Sequence, residues 1–252
     1  MSENEEILAK ITSYLEEPFP EIKAEEVCNF IDMGNGKPEG RFWTLDPIDG
    51  TKGFIRGDQY AVALALIEDG QIKVGALACP NFPLMAGEGD GPRGVVFVAV
   101  YGEGAFMLPL ESGKEERIKV SQVSASDGSS MVESFEAGHS NHGGQSALAH
   151  SLGITRESLR MDSQAKYGAV ARGEAEFYVR MPSPKTPDYR EKIWDHAAGK
   201  IVVEEAGGKV TDIHGRELDF TKGKKLVDNR GVLVSNGLFH DKIVNSIATG
   251  IK

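Results

Sequence analysis

The stretch FWTLDPIDGTKGF, residues 42–54, sets two aspartates three positions apart around a proline, directly after a short apolar run. Phe42 to Leu45 reads as a strand, with Asp46 at its end, Pro47 forcing a turn and Asp49-Gly50 continuing it. Thr51 is placed to cap the segment after it, because its hydroxyl can accept from backbone N–H groups. Carboxylates this close repel, so something must offset the cost. Two readings fit the residues. One is a capped turn whose aspartates are simply solvated; the other is a site for Mg²⁺, which takes one or two carboxylates, waters and substrate phosphates.

Working outward, residues 5–16 place Ile7, Leu8, Ile11, Tyr14 and Leu15 at helical spacing, and Pro18 and Pro20 stop that helix. Residues 21–33 give a second short helix. Downstream, residues 60–80 form a hairpin about Glu68-Asp69-Gly70, and residues 95–110 form another about Tyr101 to Gly104. IKVSQVS, residues 118–124, reads as a further strand. The Ser/Gly run SASDGSS, 124–130, marks a boundary between an α+β domain over 1–125 and an α/β domain over 126–252. The second domain alternates strand (MVESFE), helix (GGQSALAHSLG), strand (SLRMDS), helix (YGAVARG) and strand (AEFYVRM), then a helix over 196–207 and strands at GKVTDI and GVLVSN.

The chain has 252 residues, with 28 Lys and Arg against 38 Asp and Glu, a net charge of -10. That balance argues against a nucleic-acid polymer or an anionic membrane as partner. A small phosphate-bearing ligand then needs local basic groups, metal ions or both. Two cysteines, Cys28 and Cys79, are too few for a disulfide framework or a zinc cluster and fit a reducing, cytoplasmic setting. The start, MSENEEILAK, has no apolar core of a secretory signal, and no apolar run approaches the roughly 20 residues of a membrane span. The composition therefore predicts a soluble protein.

About 145 residues after the first motif, IWDHAAGKIVVEEAGG (193–208) places Asp195 just before a helix that Gly207-Gly208 ends. An aspartate there also reads as an N-cap, favourable with the helix dipole. His139 and His142 sit in a polar loop, Lys166 reads equally as a helix-surface lysine, and Arg180 as an edge-strand charge.

Taken together, DPIDGT, WDHAAG and EAGG resemble the lithium-sensitive, Mg²⁺-dependent phosphomonoesterases that include inositol monophosphatase. The stretches FEAGHSNH, DSQAKYG and YREKIWDHAAG are similar to the 3'(2'),5'-bisphosphate nucleotidase branch. The resemblance implies a layered αβαβα sugar-phosphatase-like fold with its site between the two halves. It implies that Asp46, Asp49, Asp195 and the carbonyl of Ile48 bind Mg²⁺, and that Thr51 orients the attacking water. It assigns Asp49 and Thr51 to catalysis, and Thr51, His139, Ser163, Lys166, Arg180 and Asp195 to the substrate. The implied reaction is hydrolysis of 3'-phosphoadenosine 5'-phosphate to AMP and phosphate, with the 3'-phosphosulfate as a second substrate and lithium as inhibitor. A monomer is expected, with an oligomer as the alternative. An inositol polyphosphate 1-phosphatase and a non-catalytic chain that binds nucleotides or a partner protein are the alternatives. The second draws on a departure from the family pattern. Residues 1–45 contain no match to the N-terminal segment that carries a bridging glutamate and a water-activating aspartate, so the first domain is expected to be incomplete.

Overall fold

A computed structural model describes residues 3–87, 91–124, 128–135, 142–183 and 185–250. It separates into two compact units, Met1–Lys37 and Pro38–Lys252. The first is a pair of helices packed on each other, α1 (Glu3–Leu15) and α2 (Ala24–Met33). The second helix begins later than residue 21 because Glu21 takes a left-handed φ of 70° and Lys23 is extended. Glu26 then accepts the Lys23 N–H at 2.9 Å and closes the first turn.

The larger unit opens with six antiparallel strands in chain order: β1 (Arg41–Asp49), β2 (Ala61–Glu68), β3 (Gln71–Pro83), β4 (Arg93–Val100), β5 (Gly104–Pro109) and β6 (Glu116–Arg117). Asp69 and Gly70 both take positive φ, 49° and 83°, the mirror-image turn whose twist suits a two-residue hairpin. The Tyr101–Gly104 turn is held from outside: Glu205 accepts the N–H groups of Gly102 and Gly104, both at 2.8 Å. The strand expected over 118–124 is absent. The ladder uses Glu116–Arg117 instead, and the backbone from 118 on bonds elsewhere. Val120 N–H donates to Ala206 O, and Asn236 Nδ2 donates to the carbonyls of Ser121 and Val123.

The remaining elements are β7 (Val132–Glu133), α4 (His142–Ser151), β8 (Leu159–Arg160), α5 (Ala165–Ala171), β9 (Phe177–Arg180), α6 (Ala197–Glu205), β10 (Lys209–Thr211), β11 (Val232–Ser235) and α7 (His240–Ala248). A short α3 (Thr51–Arg56) follows β1. β9, β11 and β10 make a second antiparallel sheet, and β7 pairs β8 in parallel.

The larger unit is layered: the six-stranded sheet, then α5 and α6, then the three-stranded sheet, then α4 and α7. Small residues let the layers approach. A side chain at Gly75 of β3 would meet the α6 backbone at Ala198 O, 3.0 Å away, and one at Gly199 of α6 would strike the Tyr167 ring of α5. The expected boundary at residue 125 lies inside this unit. One core cluster draws Phe97 and Leu77 from before it and Tyr167, Ile201 and Val234 from beyond it, because α5 and α6 fill the space between both sheets. At the open edge of the first sheet, Trp43 and Leu45 of β1 are 57% and 52% exposed. Among the described residues no helix is long and apolar enough to cross a membrane.

Candidate active site

β1 does not stop at Leu45. It pairs with β2 through Asp46↔Ala63 and again at Asp49↔Ala61, with a bulge between that accommodates Pro47, which has no N–H to give the ladder. Asp46 Oδ1 accepts the Ile48 N–H at 3.1 Å and shapes that bulge. Thr51 is not the cap of α3. Gly50 takes that position at φ 81°, and the Thr51 hydroxyl donates back to Ile48 O at 3.2 Å.

The loop entering α5 meets this turn directly. A Cβ on Gly50 would lie 2.7 Å from Ser163 Cβ, so only glycine allows the approach. Ser163 itself is left-handed, φ 65°, and its hydroxyl accepts the Ala165 N–H at 3.1 Å. The next residue, Gln164, donates its backbone N–H to Asp49 Oδ2. Asp195 arrives from the third side, at the end of a single 3-10 turn, Ile193–Asp195. The N-cap of α6 is His196, so the capping reading of Asp195 does not hold.

Asp46, Asp49 and Asp195 thus offer oxygens that all lie within 4.8 Å of one another. Burial pushes the Asp49 carboxyl up to about 6, against the pull of the Gln164 N–H and the Lys166 charge, with Asp195 and Asp46 adding to the rise. Burial also raises Asp46 and Asp195. Three carboxylates pushed toward protonation by burial, with Asp195 adding repulsion at Asp46 and Asp49, suit a hard divalent cation. A second grouping, Glu191 with Asp195 and His196, is as close-packed, but Glu191 is already committed. Its Oε1 pairs with Arg180 Nε at 3.0 Å and its Oε2 with His196 Nε2 at 3.2 Å.

Asp46, Asp49 and Asp195 line a cleft of about 440 Å³ that also holds Thr51, Ser163, Lys166 and Arg180. Lys166 is not a surface lysine. It is 5% exposed, and its Nζ donates to Ser163 O at 2.9 Å and lies 5.1 Å from the Tyr178 ring centre. Burial pulls its pKa down to about 8, although Asp49 nearby opposes the fall. Arg180 does lie on an edge strand, β9, with its guanidinium 5.9 Å from the Tyr189 ring. His139 lies outside the described residues. Sequence reasoning missed Gln164, Glu191, His196 and the three tyrosines, although all but Tyr178 fall inside the DSQAKYG and YREKIWDH blocks. His196 is sealed between Glu191 and the Tyr167 hydroxyl, 2.7 Å from Nδ1.

The model of the inositol monophosphatase family matches residues 4–251. The chain belongs to that family. Among inositol monophosphatase relatives with curated names, a 3'(2'),5'-bisphosphate nucleotidase of Emericella nidulans is 46% identical, covering 90% of this chain and 69% of its own. One of Schizosaccharomyces pombe is 44% identical, covering 97% and 70%. Among solved structures, an inositol monophosphatase from Anabaena (Nostoc) shares the fold at a TM-score of 0.62 and 24% identity, over 85% of this chain and 74% of that one. The layered phosphatase fold expected from the sequence is therefore the fold found, and the chain is a family phosphatase by descent.

Proposed function

We propose that the chain is a Mg²⁺-dependent 3'(2'),5'-bisphosphate nucleotidase, hydrolysing 3'-phosphoadenosine 5'-phosphate to AMP and phosphate and acting also on the 3'-phosphosulfate. The observation that carries the reading is the convergence of Asp46, Asp49 and Asp195 on one cleft that also contains Lys166 and Arg180. The names of the relatives supply the substrate class.

Asp46, Asp49, Asp195 and the Ile48 carbonyl hold the ion in this reading, an all-oxygen set of the kind Mg²⁺ prefers. Mg²⁺ held there would supply Lewis acidity to a phosphoryl oxygen and to a neighbouring water. The Thr51 hydroxyl donates its hydrogen bond to Ile48 O, so its oxygen is left to accept from and orient that water. Ser163, Lys166, Arg180 and His139 hold the nucleotide, and the two cations offset phosphate charge in a chain that is otherwise acidic. The water oxygen bonds to phosphorus and gives up one proton, the bond from phosphorus to the 3' oxygen breaks, and that oxygen leaves as the AMP hydroxyl with the proton the water has released. The free cysteines Cys28 and Cys79 support a cytoplasmic setting.

The test is phosphate release from 3'-phosphoadenosine 5'-phosphate by this chain, with Mg²⁺, with and without lithium, beside an inositol polyphosphate. Lithium-sensitive release that favours the nucleotide is expected. Preference for the inositol polyphosphate would overturn the substrate, and no release by a folded sample would overturn the activity.

A further inference from the structure

Gln164 stands where three separate segments meet, and it touches each with a different group. Its backbone N–H donates to Asp49 Oδ2 at the end of β1. Its side-chain Nε2 donates to Trp194 O at 2.9 Å, the carbonyl directly before Asp195. Its Oε1 accepts the Gly199 N–H of α6 at 3.1 Å. The side chain is buried, with 2% of the residue exposed.

The third contact explains why a glutamine is needed. A helix leaves its first N–H groups without intrahelical partners, and an N-cap side chain normally satisfies one of them. The N-cap of α6 is His196, which makes no such bond. Its imidazole is held by Tyr167 and Glu191 instead. Gln164 supplies the missing acceptor from another part of the chain. With the other end of the same amide it fixes the turn that carries Asp195. An amide is suited to this, since it donates and accepts at once without adding charge beside three carboxylates.

We infer that Gln164 is the positioning residue that sets the separation of Asp195 from Asp46 and Asp49, and so sets how tightly a divalent cation is held. The inference rests on the metal reading above. Residues that orient metal ligands from behind typically change metal affinity by about 10- to 100-fold when removed. In Gln164→Met the backbone bond to Asp49 remains, the side-chain volume is nearly kept, and both side-chain bonds go.

The experiment is a titration of the metal-free full chain with Mn²⁺, read from the paramagnetic resonance signal of free Mn²⁺. Wild type and Gln164→Met are compared, with kcat then measured at saturating metal. A Kd about tenfold or more weaker, with kcat restored close to wild type once metal saturates, is expected. An unchanged Kd, even in a variant that melts at lower temperature, would overturn the inference and leave Gln164 a packing residue. If Gln164→Met does not fold cooperatively, Gln164→Asn takes its place, since it keeps the amide but draws it back by one methylene, and the same weakening is expected. Failure of both to fold would also overturn the inference. Absence of Mn²⁺ binding by the wild type would overturn the metal reading itself, an outcome distinct from wild-type binding that the substitution leaves unchanged.

Discussion

Two aspartates in this chain, Asp212 and Asp49, are treated in opposite ways. Asp212, in the turn after β10, is fully buried, and donors surround it. Its Oδ1 accepts the N–H groups of His214 and Arg216 at 2.9 and 3.0 Å, and its Oδ2 accepts from Asn229 Nδ2 and the Arg230 N–H, both at 3.3 Å. Asp49, half-buried at the cleft, accepts the Gln164 backbone N–H, has the Lys166 charge nearby, and faces two more carboxylates. The first aspartate has both oxygens met by donors. The second is met by fewer, and desolvation, with Asp195 and Asp46 beside it, pushes its carboxyl up to about 6. A buried charge fully met by donors belongs to the architecture; one left short of them is waiting for something else.

The contrast can be broken most sharply at Asp49. Asp49→Asn should lower kcat/KM with Mg²⁺ by on the order of 10³-fold or more, several kcal/mol of transition-state stabilisation. The same variant should leave the metal-free protein at least as stable as wild type at pH 7. Retained turnover would place the ion elsewhere.

Asp212→Ala should do the reverse. It takes the acceptor from three partly buried backbone N–H groups and from Asn229 Nδ2, which keeps its bond to Glu217 O, and at about 1–3 kcal/mol for each buried donor left unpaired a loss of ~4 kcal/mol is expected in urea unfolding. Turnover per folded molecule should not change. Loss of turnover at unchanged stability would show that Asp212 also serves the chemistry.

A smaller effect separates the two by pH. Asp49 holds its proton more tightly folded than unfolded, about 6 against an ordinary 3.8. Its stabilising contribution is therefore complete below 3.8 and lost as pH rises through about 6. The loss is roughly 2–3 kcal/mol in metal-free protein at pH 7. Melts of the metal-free chain should fall across that window, and Asp49→Asn should remove this part of the slope. Mg²⁺ should recover stability at pH 7 in wild type and much less in Asp49→Asn.

The two hairpins and most of the later alternation are legible in the sequence, because turn chemistry and strand period are local signals. Asp69-Gly70 announces its turn, and the apolar runs beside it announce their strands. The extended segment 118–124 defeats that reasoning: its pattern is that of a strand, yet its partners are Asn236 and the end of α6. α7 is not legible, because LFHDKIVNSIATG offers no strong cap and only a short apolar stripe. In the site, the carboxylates are legible from their motifs and Lys166 only through the family resemblance, since nothing local distinguishes a buried lysine from an exposed one. Gln164 carries no local mark at all. Its partners lie 30, 35 and 115 residues away, so its role exists only once the chain has folded.

The close approach of Gly50 to Ser163 also has a consequence for the newly made chain. Asp49 leaves the ribosome long before the segment that must lie against it, 115 residues later. At 5–20 residues per second that gap is on the order of ten seconds of synthesis, with α6 and Asp195 later still. Through that interval the two acidic side chains of the first hairpin region have neither their neighbouring loop nor their third companion. Catalytic competence is therefore a late event in the life of each molecule, and a nascent chain halted before residue 195 should be inert however well its first sheet has formed.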